Sequence, residues 1–518
     1  MGSSLLDRRN TKALGAILYA AVFIIAAAKA TPIPRVSQVS SPVRSPGSTR
    51  PQPHPLVGDD LYTFQGATTH PLRLESDSNG MVSFAWPSGP GSWDTALLQV
   101  SVGPAAISAP DSSPPRWVDM SVSSPCAWAP PLDYGRQLDT DTISPGRPAP
   151  AGCVRQFVEP EASGIRYLNL SFLHATGVSD GQQVQLKTHD VALQPQATLW
   201  LFHTHLPAHA RVLVLAPHPD DAEIAAFGIY AQQDAWVITV TAGDAGGFAY
   251  RAEFAAPDYA FKGRLRVIDS VTVPLQGGVP PAHCFNLGYF DARVDAMYTH
   301  PDMPVREMYV DNDDTLPYRR LNPGRLLPIQ RRTATWNHLV ADLRKVVNTL
   351  QPDVIVAPHP FLDAHRDHEF VSVALAEALR HVRLRHAPQL LLYTNHAVPD
   401  ERYPYGPTGT VAGLPPSGRA GVPFQGVYSL PLAPMMQTRK LFALEAMHDL
   451  RAEPAAEYAF PTPTGAARHL NPTPEPAVDE NYFRRAVHAN EIYLTYDAAG
   501  FQQLVARFLA IASPPAHP

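Results

Sequence analysis

The sequence predicts two architectures in series. An all-β, sandwich-like region spans residues 59–205, and an α/β domain with a parallel sheet spans residues 206–518. Three observations carry this. Between about Leu61 and Phe202, short runs such as MVSFAW, ALLQVSV, YLNLSFL, QVQLKT and TLWLF are separated by Gly, Pro, Ser and Asp. Several of them alternate polar and apolar residues, as half-buried strands joined by turns do. From Arg211 onward the strand-like runs VLVLA, WVITVTA and DVIVAP are continuously apolar, as strands covered on both faces require. Segments compatible with helices lie between them, and strands alternating with helices give a parallel sheet.

The elements follow in order. Arg8, Arg9 and Lys12 precede an uncharged run from Ala13 to Ala28, and Ala28-Lys29-Ala30 fits a small-x-small cleavage site. Residues 1–30 therefore read as a signal peptide and the mature chain as extracytoplasmic, periplasmic or secreted. The alternative is a chain membrane-anchored by residues 13–28, a run that is short for a span. After signal cleavage no segment is long and apolar enough to cross a bilayer. Residues 31–58, rich in Pro, Ser and Arg, read as a linker. In the α/β part, Asp221–Gln233, Thr335–Leu350 and His368–Val382 read as helices and QLLLYTN as a strand. Met435–Arg451 and Asn481–Tyr496 read as surface helices.

Hydrophobic residues make up 45% of the chain and charged residues 17%, with 55 prolines and a net charge of −6. An acidic chain without Lys/Arg clusters excludes nucleic acid as a partner. In an oxidising compartment Cys126 and Cys153 are placed to pair, which leaves Cys284 as a core residue.

Chemistry concentrates at two strand ends. In an open parallel sheet, ligands bind beyond the carboxyl ends of the strands. HPDDAEI delivers His218, Asp220 and Asp221 there. DVIVAPHPFLDAHRDHEF delivers Asp363, His365, Asp367 and His368. An HxxH pair in a chain with 21 histidines says little alone, and an HPDD turn alone fits a helix cap. Both together, each after a buried strand, point to a metal. His218, Asp221 and His368 form a three-ligand N/O set suited to Zn²⁺, or to another divalent transition metal. Asp220 is left to take a proton from the water that such an ion activates. His365 is placed to stabilise an oxyanion or protonate a leaving amine. Asp363 or Asp367 could orient a ligating histidine. Asp244, in TAGDAGG, and His396, after QLLLYTN, are candidates for substrate contact or for support of the ligands. Arg264, Arg266 and Arg319 are unranked candidates for substrate contact. His203, His205, His209 and the Asp311–Asp314 run read as surface or packing features.

The HPDD turn, the TAGDAGG segment and the DAHRDH segment together resemble the PIG-L/LmbE-like family of de-N-acetylases, over about Arg211 to Val398. The resemblance implies a Rossmann-like fold, a Zn²⁺ cofactor and removal of acetyl from N-acetylglucosaminyl conjugates. By motif position it puts the ligands on His218, Asp221 and His368 and the general base on Asp220. It puts a second catalytic histidine on His365 and the motif aspartate on Asp367. An Arg-plus-Glu helix, which the family has after the TxGxxG segment, finds no clear counterpart in FKGRLRVIDSVTVPLQGG. The expected function is a secreted metal-dependent hydrolase acting on an N-acetylated amino sugar or glycan. The alternatives are an amidase on another N-acyl conjugate, lipid or peptide, and a catalytically inactive glycan-binding protein. The β region either holds a glycan or packs against the catalytic part.

Overall fold

The structure is a computed structural model that describes residues 58–104, 116–126, 152–159, 162–204, 206–246, 256–397, 402–417, 423–448 and 485–512. The signal-peptide reading and nearly all of the linker lie outside these residues. Among the described residues, no helix is long and apolar enough to cross a membrane.

The β region forms two antiparallel sheets. One has four strands, in the order Thr68–Arg73, Val191–Phe202, Thr95–Pro104, Gly164–Asn169. The other has five, in the order Glu75–Ser76, Val82–Ala85, Gln183–His189, Arg116–Val122, Cys153–Val158. Leu98, Leu168 and Leu199 from the first sheet share a core with Met120, Val184 and Leu186 from the second. Cys126 and Cys153 are disulfide-bonded, the pairing expected from the sequence, and Cys284 is free and buried.

This region is not a detachable module. Successive side chains of a strand point to opposite faces. In Thr95–Pro104, Leu98 enters the β-region core while its neighbour Leu97 enters the main core of the α/β part. Tyr62, Phe64, Tyr167 and Phe202 join Leu97 there, beside Phe424, Val427 and Leu494. Thr63–Phe64 pairs in parallel with Pro423–Phe424. The Asn169 amide donates to Ala412 O (3.0 Å) and Ser429 Oγ (2.9 Å), and Ser429 N donates to Thr95 Oγ1 (3.0 Å).

The α/β part is built on a seven-stranded sheet. Its strands are β1 (Arg211–Ala216), β2 (Asp234–Thr241), β3 (Cys284–Tyr289), β4 (Val354–Pro358), β5 (Gln389–Tyr393), β6 (Gly426–Pro431) and β7 (Asn490–Tyr496). Their order is β3-β2-β1-β4-β5-β7-β6. The first five are parallel, and β7 and β6 add on antiparallel. The main helices are α1 (Asp221–Tyr230), α2 (Ala256–Thr272), α3 (Trp336–Leu350), α4 (Arg366–Leu379), α5 (Pro434–Ala446) and α6 (Ala498–Ala512). Leu213 and Leu215 of β1 face a core built with α3, α4 and α6, whereas Val212 and Val214 face α1 and α5. Both faces are covered, which is why the strands read as unbroken apolar runs.

The sequence placed β1, β2, β4, β5, α1, α3, α4 and α5 within a few residues and did not mark β3, β6 or α6, and two of its readings are corrected. Residues 490–496 form β7, not the end of a surface helix. NEIYLTY is rich in β-branched and aromatic residues, sits between two strands and is almost wholly buried. FKGRLRVIDSVT does form a helix, α2, although its pattern mixes exposed Phe261 and Ile268 with buried Lys262 and Arg266.

Asp60 sits at the seam between the two parts, accepting a hydrogen bond from Ser417 N (3.1 Å) and lying 3.6 Å from Arg166 Nε. Burial pushes its carboxyl up to about 6 in spite of Arg166. A carboxyl whose folded pKa exceeds its unfolded value of about 4 lowers stability as pH rises through that interval. Melting temperature should therefore carry an Asp60-dependent fall between about pH 4 and pH 6, and Asp60→Asn should remove that part of the profile. Phe202→Ala should cost about 3–5 kcal/mol and lower a single calorimetric transition. Two transitions, only one of them shifted, would contradict a shared core.

Candidate metal centre

The site lies where β1 and β4 are neighbours, although the chain runs through β2 and β3 between them. Chain direction across the sheet reverses here, which opens a crevice at the carboxyl ends of the two strands. β1 ends at Ala216 and the turn Pro217–Asp220 leads into α1. β4 ends at Pro358 and a short loop leads into α4.

The two loops bring three ligand atoms together. His218 Nδ1 lies 3.1 Å from His368 Nε2, and Asp221 Oδ2 lies 3.1 Å from His368 Nε2 and 3.3 Å from His218 Nδ1. All three residues are buried. Zinc binds N and O ligands at about 2.0–2.1 Å, so the edge of its ligand tetrahedron measures about 3.3 Å. The triangle fits that edge. Charge fits as well. Burial opposes a charge on His368, yet Asp221 and Asp363 push its pKa up to about 10. His218 is likewise raised, against burial, by Asp291, Asp221 and Asp367. The carboxylates thus demand positive charge at the imidazoles, and a divalent cation can supply it by displacing protons.

The remaining atoms of these residues are held from behind. His368 Nδ1 lies 2.9 Å from Asp363 Oδ2, which also accepts from Asn395 N (3.0 Å). Asp221 Oδ1 accepts from the Asn395 amide (2.7 Å). His218 Nε2 faces Asp367 Oδ2 (3.1 Å) and Asp291 Oδ1 (3.2 Å). Each imidazole therefore has one nitrogen toward the shared point and the other against a carboxylate, the arrangement that fixes a ligating histidine's tautomer and orientation. The cluster of His218, Asp291 and Asp367 reads as this support.

Asp220 follows the turn with φ 141°, a region that favours glycine. Its Oδ2 accepts from Arg266 Nη2 at 2.8 Å, and the same nitrogen donates to Pro219 O at 2.8 Å. The guanidinium passes so close to Gly243 that a Cβ there would meet Nη1 at 2.6 Å, which accounts for that glycine of TAGDAGG. Thr241 N and Oγ1 both donate to Pro217 O at 2.9 Å, fastening the TAGDAGG loop to the HPDD turn.

His365 caps α4 and its Nδ1 accepts from Asp367 N (3.2 Å). Burial, then the charges of His218 and His368, lower its pKa to about 3. A neutral ring whose Nδ1 accepts carries its proton on Nε2. Its ring centroid lies 4.6 Å from that of His218. His396 also reaches the site, with ligand atoms of Asp221, His368 and His396 within 4.8 Å of one another.

Asp367 and Asp244 stand in the supporting one of the roles expected of each. Asp367, expected either to act in catalysis or to orient a ligating histidine, is fully buried and accepts from Ala292 N (2.7 Å) and Val294 N (3.1 Å). With both oxygens engaged there and against His218, it orients and does not face the crevice. Asp244 is buried, and its carboxyl, raised by burial and by Asp291, accepts from Asp291 N (2.9 Å); it supports a supporter. Arg319 is buried, with its guanidinium bonded to Asp342 (2.6 Å) and to Leu287 O (2.7 Å). His203 and His209 are exposed; His205 lies outside the described residues. Sequence reasoning missed Asp291 and Asn395, and it named Arg266 as an unranked candidate for substrate contact, whereas the side chain holds Asp220. Asp291 gave the same signal as HPDD, an acid just beyond a wholly buried strand, β3.

Residues 213–379 match the model of the PIG-L family, described as GlcNAc-PI de-N-acetylase. This segment carries a PIG-L domain. It runs from β1 to the end of α4, about a third of the chain. Its span takes in His218, Asp220, Asp221, Asp244, Arg266, Asp291, Asp363, His365, Asp367 and His368. Asn395, His396, α5, β6 and β7 lie beyond it. The search of curated proteins returned no match. A solved structure, GalB, the 4-carboxy-2-hydroxymuconate hydratase from Pseudomonas putida KT2440, is similar at 14% identity with a TM-score of 0.24. The likeness covers 35% of this chain and 65% of the hydratase.

Asp363→Asn should weaken divalent-metal affinity about 10–100-fold, because the amide cannot hold His368 as the carboxylate does. Competition against a chromogenic chelator measures this, and affinity equal to the parent's would remove Asp363 from the ligand support.

Proposed function

We propose that the chain is an extracytoplasmic, divalent-metal-dependent hydrolase that removes an N-acetyl group from an amino sugar or its conjugate. The observation that carries this reading is the 3.1–3.3 Å triangle of His218, Asp221 and His368 with the carboxylate of Asp220 next along the chain. The PIG-L match supports the de-N-acetylase class. The parallel strand order β3-β2-β1-β4-β5 supports a Rossmann-like reading of the catalytic part. The Cys126–Cys153 disulfide supports an oxidising compartment.

His218, Asp221 and His368 would hold the cation, Zn²⁺ by their donor types. When bound, such an ion supplies Lewis acidity and lowers the pKa of a neighbouring water. Asp220 accepts a proton from the attacking water as its oxygen bonds to the amide carbon. Arg266 fixes the orientation of that carboxylate. His365, with its proton on Nε2, donates to the carbonyl oxygen as negative charge builds there. The C–N bond then breaks, and the proton held by Asp220 passes to the departing amine nitrogen. Acetate and a free amino sugar result.

Acetate release from N-acetylglucosaminyl conjugates should disappear with chelator and return with Zn²⁺. Asp220→Asn should lower kcat by about 10²–10⁴ while metal content stays at the parent's level. Activity undiminished by Asp220→Asn would remove the base, and activity undiminished by chelation would remove the metal.

A further inference from the structure

Helix α1, whose first residue is Asp221, is broken in the middle. Ala226 has φ −136° and ψ 15°, outside the helical range. A break leaves carbonyls of the first turn and amides of the second half without partners inside the helix. Here side chains from two distant elements take them up. Lys440 of α5 donates from Nζ to Ile224 O (2.7 Å), and Tyr493 of β7 shares its one hydroxyl proton between Ala225 O (2.9 Å) and Glu491. Glu491 of β7 accepts Gly228 N on both carboxylate oxygens (2.9 and 3.0 Å) and Ile229 N on Oε2 (3.3 Å). The three also bind one another: Lys440 Nζ to Glu491 Oε1 at 2.9 Å, and Tyr493 Oη to Glu491 Oε2 at 2.8 Å. All are buried. Gly228 leaves the room, since a Cβ there would lie 2.3 Å from Leu432 Cδ2 and 2.9 Å from Glu491 Oε2.

An unbroken apolar helix would need none of this, and burying an ion pair costs desolvation that its attraction often fails to recover. What the arrangement provides is direction. The first turn of α1 is gripped at its start, where Asn395 holds Asp221, and at its end, where Lys440 holds Ile224 O. We propose that Lys440, Glu491 and Tyr493 are positioning residues that hold the break in α1 open. In doing so they set where Asp221 stands relative to His218 and His368, and hence the metal affinity of the site. The proposal rests on the reading of those three residues as ligands. It gives the segment beyond the PIG-L match a defined part in the site.

Co²⁺ is the probe, because it takes the same N/O donors as zinc and reports its geometry by visible absorption. In the full chain, Glu491→Gln should weaken Co²⁺ about 10–100-fold and Tyr493→Phe about tenfold, the range known for residues that orient ligands. Both should alter the cobalt absorption. If both variants keep the parent's near-UV circular dichroism and bind Co²⁺ with the parent's affinity and spectrum, the cluster is structural only and the proposal falls. Should Glu491→Gln fail to fold, Tyr493→Phe, which deletes a single oxygen, decides alone. A parent chain that binds no Co²⁺, or a His218→Ala/His368→Ala variant that binds it normally, would overturn the ligand assignment itself. That result differs from a parent-like Tyr493→Phe, which leaves the ligands standing and removes only the clamp.

Discussion

Everything at the site depends on one contact, the approach of Asp221 to His368 across the junction of β1 and β4. A buried carboxylate and a buried imidazole 3.1 Å apart hold together when a proton or a cation lies between them. The surrounding carboxylates favour the charged form of both imidazoles, yet the 3.1 Å approach of His218 Nδ1 to His368 Nε2 leaves room for one proton, not two, between the rings. With a cation the same geometry serves as a ligand set. The fold makes the contact by setting β4 beside β1, so that loops with ligands 150 residues apart in the chain leave the sheet at the same edge.

Around that contact, buried polar groups from several elements serve orientation. Asp363 and Asn395 hold one side, Asp367 and Asp291 the other, and Arg266 holds Asp220 by spanning two loops. The break in α1 extends this outward to β7 and α5. Polar networks of this kind rigidify only when every member is satisfied, and the shared acceptors, Asp363 and Glu491 above all, make the members mutually dependent.

The β region takes part through the same logic of covered surfaces. β6 ends the seven-stranded sheet, and an open edge invites pairing with other chains. Tyr62, Phe64, Leu97 and Phe202 join its core, and Thr95 and Asn169 bond to Ser429 of β6. The strand Thr95–Pro104, which gives Leu98 to one core and Leu97 to the other, ties the two parts together.

From the sequence alone came the ends of β1, β2, β4 and β5 and the two chemical loops, because each is written in neighbouring residues: an apolar run, a turn and a cluster of ligand types. HPDD and DAHRDH could be read as one site because both follow buried strands. Other features were not legible. The helical pattern assumed at residues 481–496 hid β7, since a short apolar stretch reads alike as strand or helix until its partners are known. Position alone left Asp367 and Asp244 open between chemistry and support, and their inward orientation makes them support. Asp291, Arg266, Asn395, Lys440 and Glu491 each come from another element, and no local pattern records that they meet. Residue type and spacing along the chain determined which groups could bind a cation. Only the tertiary structure, through strand order and the direction of α1, decided which of their atoms face it and what holds them there.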